Sequence, residues 1–364
     1  MRKARDRGFF STCACCTRTG TRADGITRRA FMATGVAAGA VAAATPLVRT
    51  AAAHAVTELP VAERKIVDMH HHIAPPNYLA ETRARQNPPV INWSIQKSLE
   101  DMEKAGVATS ITSITTPGVW FGDAEQAKRL ARDCNEYAAR LMQDHPGRFG
   151  MFAMLPLPDV DASLKELEYA MDTLKADGIA LLTSFGDKWL GDPAFDPIMS
   201  ELNRRGAVLY THPTTANCCR NLVPSVPPAM IEYGTDTTRA IASVVLRGTA
   251  KKFSNIKFIF SHAGGTMPFL IERFTRLGAQ DGGPGAMEAA LKTFHYDIAQ
   301  TSHRIPLRAL VDLVSTSQIV FGTDFPFRTA ADHENALLKF GFTAEELRAI
   351  NRENALKLLP KYRA

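Results

Sequence analysis

From residue 65 onward the chain alternates between short runs dense in β-branched and aromatic residues and longer stretches whose apolar positions recur every three or four residues. The short runs read as strands at 65–72, 109–114, 149–155, 178–183, 207–212, 256–262, 293–299 and 318–324. Helical spacing fills the intervals at 94–105, 123–144, 161–176, 195–205, 236–252, 268–277 and 306–314, and returns at 343–359 after the last strand. Eight strands, each followed by a helix, predict one α/β domain over 56–364, a single (β/α)8 TIM-like barrel.

Several strands, such as IKFIFSHAGG and AVLYTHP, are nearly continuous apolar runs that end in a polar residue and a Gly or Pro. Parallel barrel strands are covered by helices outside and packed inside, which explains the apolar body. The polar tips fall at the carboxyl ends, where such barrels carry their chemistry. The first tip, VDMHHHIAPP, places three histidines in a row. Side chains alternate along a strand, so Asp68, His70 and His72 are expected on one face and Met69 and His71 on the other. His70 and His72 can therefore aim at one ion, while His71 points toward the helix layer or the rim, and Asp68 supports from one layer below. His212, His262 and Asp324 end later strands. In a closed barrel these tips converge, giving up to four histidines and one carboxylate on one mouth. Nitrogen and oxygen ligands without a thiolate suit Zn²⁺, Mn²⁺ or Fe²⁺.

Charge refines the picture at one end only. The formal net charge is +6, but residues 1–55 hold 9 Lys/Arg against 2 Asp/Glu, leaving 34 basic and 35 acidic residues beyond them. A body of net charge −1 gives no electrostatic case for nucleic acid. The basic segment reads as an export signal: Arg28 and Arg29 sit in a twin-arginine-like motif, residues 33–48 form a weakly apolar Ala/Gly-rich run, and 53–55 offers a small-x-small cleavage site. The expected location is periplasmic or extracellular, with no stable membrane insertion because the run is short and diluted by Gly, Thr and Pro. Of six cysteines, only Cys134, Cys218 and Cys219 lie beyond the signal, and the adjacent pair implies no disulfide framework.

The combination of VDMHHHIAPP, THP, FIFSHAGGTMP and FGTDFPF resembles the amidohydrolase superfamily across nearly all of residues 65–360. More narrowly it looks like the branch that contains aminocarboxymuconate semialdehyde decarboxylase. The resemblance implies one divalent metal ion on His70, His72, His212 and Asp324, with His262 a catalytic non-ligand that activates bound water or assists proton transfer. Two-metal hydrolases of the superfamily usually take a carboxylated lysine from strand four. Here that strand reads GIALLTS, with Lys188 only in the loop beyond, which implies a mononuclear site.

PGVWFGD, CNEYAARL and LTSFGDKWLGDPAFDP look most like members described as 6-methylsalicylate decarboxylases. The expected function is metal-dependent, non-oxidative decarboxylation of an aromatic, salicylate-type carboxylic acid, a carbon–carbon lyase reaction in which Asp324 or His262 delivers the proton. Trp120 and Phe121, on the loop after strand two, are expected to grip the aromatic ring. Asp297 and Thr301, past strand seven, are expected to orient substrate or a ligand histidine. Arg273 could meet the substrate carboxylate within the chain or across a homodimer interface, and Arg328 lies on the same side. The competing enzyme reading is a mononuclear hydrolase of a lactone or amide with His262 as base. A binding protein that keeps the barrel without the chemistry is the third reading, and five competent strand-end residues weigh against it.

Overall fold

The computed structural model describes residues 59–278 and 285–363, so the expected export signal, its cleavage site and Cys13, Cys15 and Cys16 lie outside the described residues. Eight strands run parallel in chain order: β1 Ile66–His72, β2 Val107–Ser113, β3 Phe149–Met154, β4 Gly178–Leu182, β5 Val208–His212, β6 Lys257–Phe260, β7 His295–Asp297 and β8 Ile319–Val320. The last strand meets the first through Met69 N donating to Phe321 O (2.9 Å), His72 N donating to Phe325 O (2.8 Å) and a parallel bridge between His71 and Phe325. That seam makes the sheet a barrel and brings the two ends of the sequence's histidine pattern side by side.

Both faces of the strands are buried, as the apolar runs require. Ile66, Phe149, Ile179, Leu209, Phe258 and Ile319 pack outward under the helices. Val67, Met69, Ile111, Phe152, Ala180, Val208, Tyr210, Ile259 and Val320 pack on one another as an inner plug that also touches Leu356 and Leu359 of the C-terminal helix. The helices between strands start where a side chain caps the free amides. Ser94 accepts from Lys97 N ahead of Ile95–Ala105, Asp123 from Glu125 N and Gln126 N ahead of Ala124–Asp144, and Thr343 forms a reciprocal box with Glu346. Among the described residues no helix is long and apolar enough to cross a membrane.

The strand sites agree with the sequence pattern, and several helical segments depart from it. The segment expected at 236–252 is a longer helix starting at Pro228, followed by Thr249–Lys252. Asp161–Ala176 is interrupted, because Val160–Glu168 passes into a π-turn at Tyr169–Thr173. A second π-turn, Ala349–Glu353, splits the C-terminal segment. A helix at Ala330–Phe340, capped by Thr329, packs over the β8 seam where the sequence reading placed none. The eighth strand is also shorter than expected: pairing with β7 stops at Val320, and the chain reaches Asp324 in a left-handed conformation (φ 60°).

Candidate metal centre

The strand-end histidines depend on a departure from regular alternation. The β1–β2 register slips between Asp68 and His71, and the slip changes which side chains share a face. Met69 joins the inner plug with Val67. His70 and His72 then turn together into the mouth, with Nε2 atoms 3.0 Å apart. Asp68 does not share their face, contrary to the alternation expected from sequence. It pairs with His71 instead (Oδ2 to Nδ1, 3.1 Å), and His71 Nε2 reaches Ser98 Oγ (2.9 Å) on the overlying helix. Asp68 also accepts from Thr323 N (3.1 Å) and Thr323 Oγ1 (2.7 Å), so it fastens β1 to the segment that presents Asp324. His71→Ala should therefore retain the metal yet lower stability by about 1–3 kcal/mol, since it takes one of two partners from Asp68 Oδ2, removes the bond to Ser98 Oγ and leaves a void against the Phe325 ring. Denaturant unfolding and metal analysis of one preparation measure both.

Four residues at three of the remaining tips sit in strained backbone. His262, Ala263, Gln300 and Asp324 all have φ between 54° and 60°, a conformation that costs energy and clusters at functional sites. In the SHAGG turn this geometry requires glycine at 265, where an added Cβ would lie 2.0 Å from the Gly234 carbonyl oxygen. Gly322 serves a related purpose, because a Cβ there would come within 2.9 Å of both His70 Cβ and Asp297 Cβ. Glycine lets the β8 end pass between those two residues and deliver Asp324.

The result is a compact buried cluster. Asp324 Oδ1 lies 3.2 Å from His70 Nε2, 3.0 Å from His72 Nε2 and 3.9 Å from His212 Nε2. Ligand-type atoms of His70, His212, His262 and Asp324 all fall within 4.8 Å of one another. Each imidazole is held from behind. His70 Nδ1 donates to Asp297 Oδ2, His212 Nδ1 to Pro213 O and His262 Nδ1 to Ala299 O, each at 2.9 Å, while His72 Nδ1 meets Ser113 Oγ at 3.2 Å. A carboxylate or carbonyl can only accept, so Nδ1 carries a proton in His70, His212 and His262; Nε2 of His212 and His262, and of His70 when its ring is neutral, then offers a lone pair to the mouth.

Those lone pairs are the test of fit for a metal. His212 Nε2 and His262 Nε2 are buried without a hydrogen-bond partner among the described residues, an expensive arrangement unless something else occupies the site. Ligands about 2.0–2.2 Å from one ion stand about 2.8–3.6 Å apart, from right-angle to tetrahedral geometry, and the 3.0–3.2 Å contacts among His70, His72 and Asp324 fall within that range. This buried histidine–aspartate cluster has the chemistry to bind a metal ion. Electrostatics agree. Burial opposes charge on His70, but the Asp297 and Asp324 carboxylates outweigh it and push the imidazole up to about 10. Burial drives His72 and His212 down to about 4 and also lowers His262. Asp324, despite its burial, is held well below the usual carboxylate range by the charge on His70 and by the close Nε2 atoms of His70 and His72. A site that draws a proton onto one imidazole in this way attracts positive charge.

Above the cluster opens a cavity of about 680 Å³. Pro88, Pro89, Met230 and Phe327 give it apolar walls, Asn87, Tyr233 and Thr301 add polar groups, and no lysine or arginine occurs among its described lining residues. Gln300, which sequence reasoning passed over, donates through Nε2 to Asp324 Oδ2 (3.1 Å). It sits one residue before Thr301 in a loop without a motif, so nothing in the sequence marked it.

Five residues expected at or near the substrate stand elsewhere. Asp297 is fully buried and spends its oxygens on His70 Nδ1, His262 N and Ala299 N, so it orients histidines and presents no atom to the cavity. Arg273 lies on the exposed side of helix Ile271–Leu277, because the turn Met267–Leu270 sets that helix with its guanidinium-bearing face outward. Trp120 and Phe121 line a neighbouring cavity rather than the histidine cavity, since the loop after β2 folds away at Pro117. Arg328, half-buried, is not on the histidine cavity either. Lys188 is exposed in a short hairpin after β4, away from the cluster, in keeping with a site lacking a bridging lysine.

An eight-stranded parallel barrel with paired histidines on β1, single histidines on or just past β5 and β6 and an aspartate past β8 is a barrel of the amidohydrolase type. The chain belongs to the amidohydrolase family, whose profile matches residues 67–361. It is 35% identical over 314 residues to a 6-methylsalicylic acid decarboxylase of Penicillium expansum, a match covering 81% of this chain and 96% of the relative. Among solved structures it superposes on 2,6-dihydroxybenzoate decarboxylase in complex with 2,6-dihydroxybenzoate, with a TM-score of 0.73 at 20% identity, covering 81% of this chain and 99% of that one. A dihydroxybenzoic acid decarboxylase of Polaromonas sp. JS666, solved with manganese and 2-nitroresorcinol, superposes with a TM-score of 0.72 at 19% identity, covering 82% of this chain and 98% of that one.

Proposed function

We propose that the chain is a metal-dependent, non-oxidative decarboxylase of a salicylate-type aromatic acid, with 6-methylsalicylate as the first candidate. The observation that carries the reading is the convergence of imidazole lone pairs and the Asp324 carboxylate at the floor of a cavity otherwise free of charged walls. The 35%-identical relative that decarboxylates 6-methylsalicylic acid supports the choice of reaction. His70, His72, His212 and Asp324 are the ligands we assign. A divalent ion there, Zn²⁺ or the Mn²⁺ named for a structural relative, would supply a Lewis acid for the substrate carboxylate and its neighbouring hydroxyl.

The chain's own groups do the rest. Pro88, Pro89 and Phe327 sandwich a flat ring and keep water from it. His262 Nε2 and the Asp324 carboxylate both rest unprotonated, so each begins as a base. One of them takes the proton of the substrate's phenol and returns it to the ring carbon that bears the carboxylate. The bond from that carbon to the carboxylate then breaks, CO₂ leaves, and the electron pair restores the aromatic ring as the phenolate, which takes its proton from water. We assign the transfer to His262 Nε2, because Gln300 and the histidines already engage both Asp324 oxygens. Asp297 fixes the His70 imidazole and Ala299 O that of His262.

We further propose export through the twin-arginine route and action as a homodimer. The test of the reaction uses the holoprotein with a panel of hydroxybenzoates and of aryl lactones. CO₂ and 3-methylphenol in equal amounts from 6-methylsalicylate are expected. Lactone hydrolysis with no CO₂ from any hydroxybenzoate would replace this reading by the hydrolase, for which His262 is an equally suitable base.

A further inference from the structure

The aromatic pair on the loop after β2 has a cavity of its own, about 450 Å³, between the loops that follow β2, β4 and β5. Trp120 is 37% exposed there, and the Arg85 guanidinium stands 4.3 Å from the centre of the Phe121 ring. Arg220 lines the same cavity, Asn217 adds a side-chain amide, and its described lining residues include no carboxylate. Neither Arg85 nor Arg220 forms an ion pair with a described carboxylate, so two cations and an open indole face share one concave surface. This is unlike the histidine cavity, which has no arginine among its described lining residues.

The partition between the two cavities is thin. Thr116 Oγ1 donates to Pro213 O (2.6 Å), and His212 Nδ1 donates to the same carbonyl. On one side Thr115, Thr116 and His212 face the histidine cavity; on the other Pro117 and Thr214 face the arginines.

We propose that the arginine cavity is a second binding site, separate from the metal, for an aromatic carboxylate. Arg85 and Arg220 receive the carboxylate, and Trp120 receives the ring face. The choice of an aromatic acid as ligand rests on the decarboxylase reading; the pairing of guanidiniums with an aromatic wall does not. Exposed charges bind weakly and are screened by salt, so the site loads and releases quickly. The phenol formed by decarboxylation lacks the carboxylate, so the site holds substrate at the mouth and lets product go.

Benzoate, which has no ortho hydroxyl, serves as a probe with the holoenzyme. Of the three tryptophans, Trp93, Trp120 and Trp189, only Trp120 lines this cavity. Saturable quenching of tryptophan fluorescence by benzoate is expected, weakening as ionic strength rises and vanishing in Trp120→Phe. In Arg85→Gln/Arg220→Gln, saturation should move to at least about tenfold higher benzoate, with metal content equal to that of the wild type. Benzyl alcohol, the neutral analogue, should not quench. An unshifted benzoate titration in the double variant, equal quenching by benzyl alcohol, or no saturable quenching in the wild type overturns the proposal. Failure of every hydroxybenzoate to release CO₂ would instead retire the decarboxylase reading and leave the benzoate result standing on its own.

Discussion

His70→Ala is expected to leave the purified protein with almost no metal and to lower kcat/KM for the preferred hydroxybenzoate by at least about 10³-fold, the equivalent of several kcal/mol of lost electrostatic stabilisation. His70 is the most enclosed member of the cluster, fully buried, with Asp297 behind it and Asp324 in front. Removing its ring does more than delete one ligand. It leaves two buried carboxylates without the group that offsets their charge, and such uncompensated charges are strongly destabilising. The control is His71→Ala, next in sequence and equally buried, whose imidazole serves Asp68 and Ser98 rather than the mouth. Metal analysis by mass spectrometry on both variants decides the point. Full metal occupancy in His70→Ala, or loss of metal in His71→Ala, would reverse the assignment of faces on β1.

That assignment shows which features were legible from residues alone. The eight apolar runs specified the barrel because a parallel sheet buried on both faces has no polar alternation to hide, and the polar tips His212, His262 and Asp324 stood out against it. The pairing of His70 with His72 was right, yet the phase of the strand below them was not. A slip in register between Asp68 and His71 puts Asp68 on the helix side, and a slip leaves no mark on a period-two pattern. The convergence of histidines and an aspartate was thus readable, and the network that orients them was only partly so. Asp297 was marked by its place at the end of β7, but its oxygens are taken by His70 Nδ1 and the His262 backbone amide. Gln300 depends on a left-handed backbone that no local sequence cue announces.

Residues on the wall were least legible. Trp120 and Phe121 follow β2 at the correct end of the barrel, but the turn at Pro117 sends them into the adjacent cavity. Arg273 lies near SHAGG in sequence and faces solvent in space. Strand-end residues are fixed by the barrel's geometry, whereas loop residues depend on tertiary packing. The helix at Ala330–Phe340 is the exception, since Thr329 followed by Asp332 was a start signal available in the sequence.

His262→Gln separates ligand from proton carrier. Its Nδ1 is anchored to Ala299 O and its Nε2 lone pair has no partner among the described residues, while His70, His72, His212 and Asp324 remain untouched by the change. The variant is expected to keep about one metal per chain and to lose about 10²–10⁴-fold in kcat, the usual contribution of a positioned acid–base group. Glutamine can fill the space and still meet the Ala299 carbonyl, but it cannot accept a proton and return it. Loss of metal together with activity would make His262 a fifth ligand, and the proton would then have to travel through Asp324 Oδ2, where Gln300 donates. Retention of both metal and kcat within about tenfold would assign the proton to Asp324 as well, this time with the ligand set intact. Gln300→Leu distinguishes those last two cases from the expected one: its effect on kcat should be small if His262 carries the proton and should approach that of a lost acid–base group if Asp324 does.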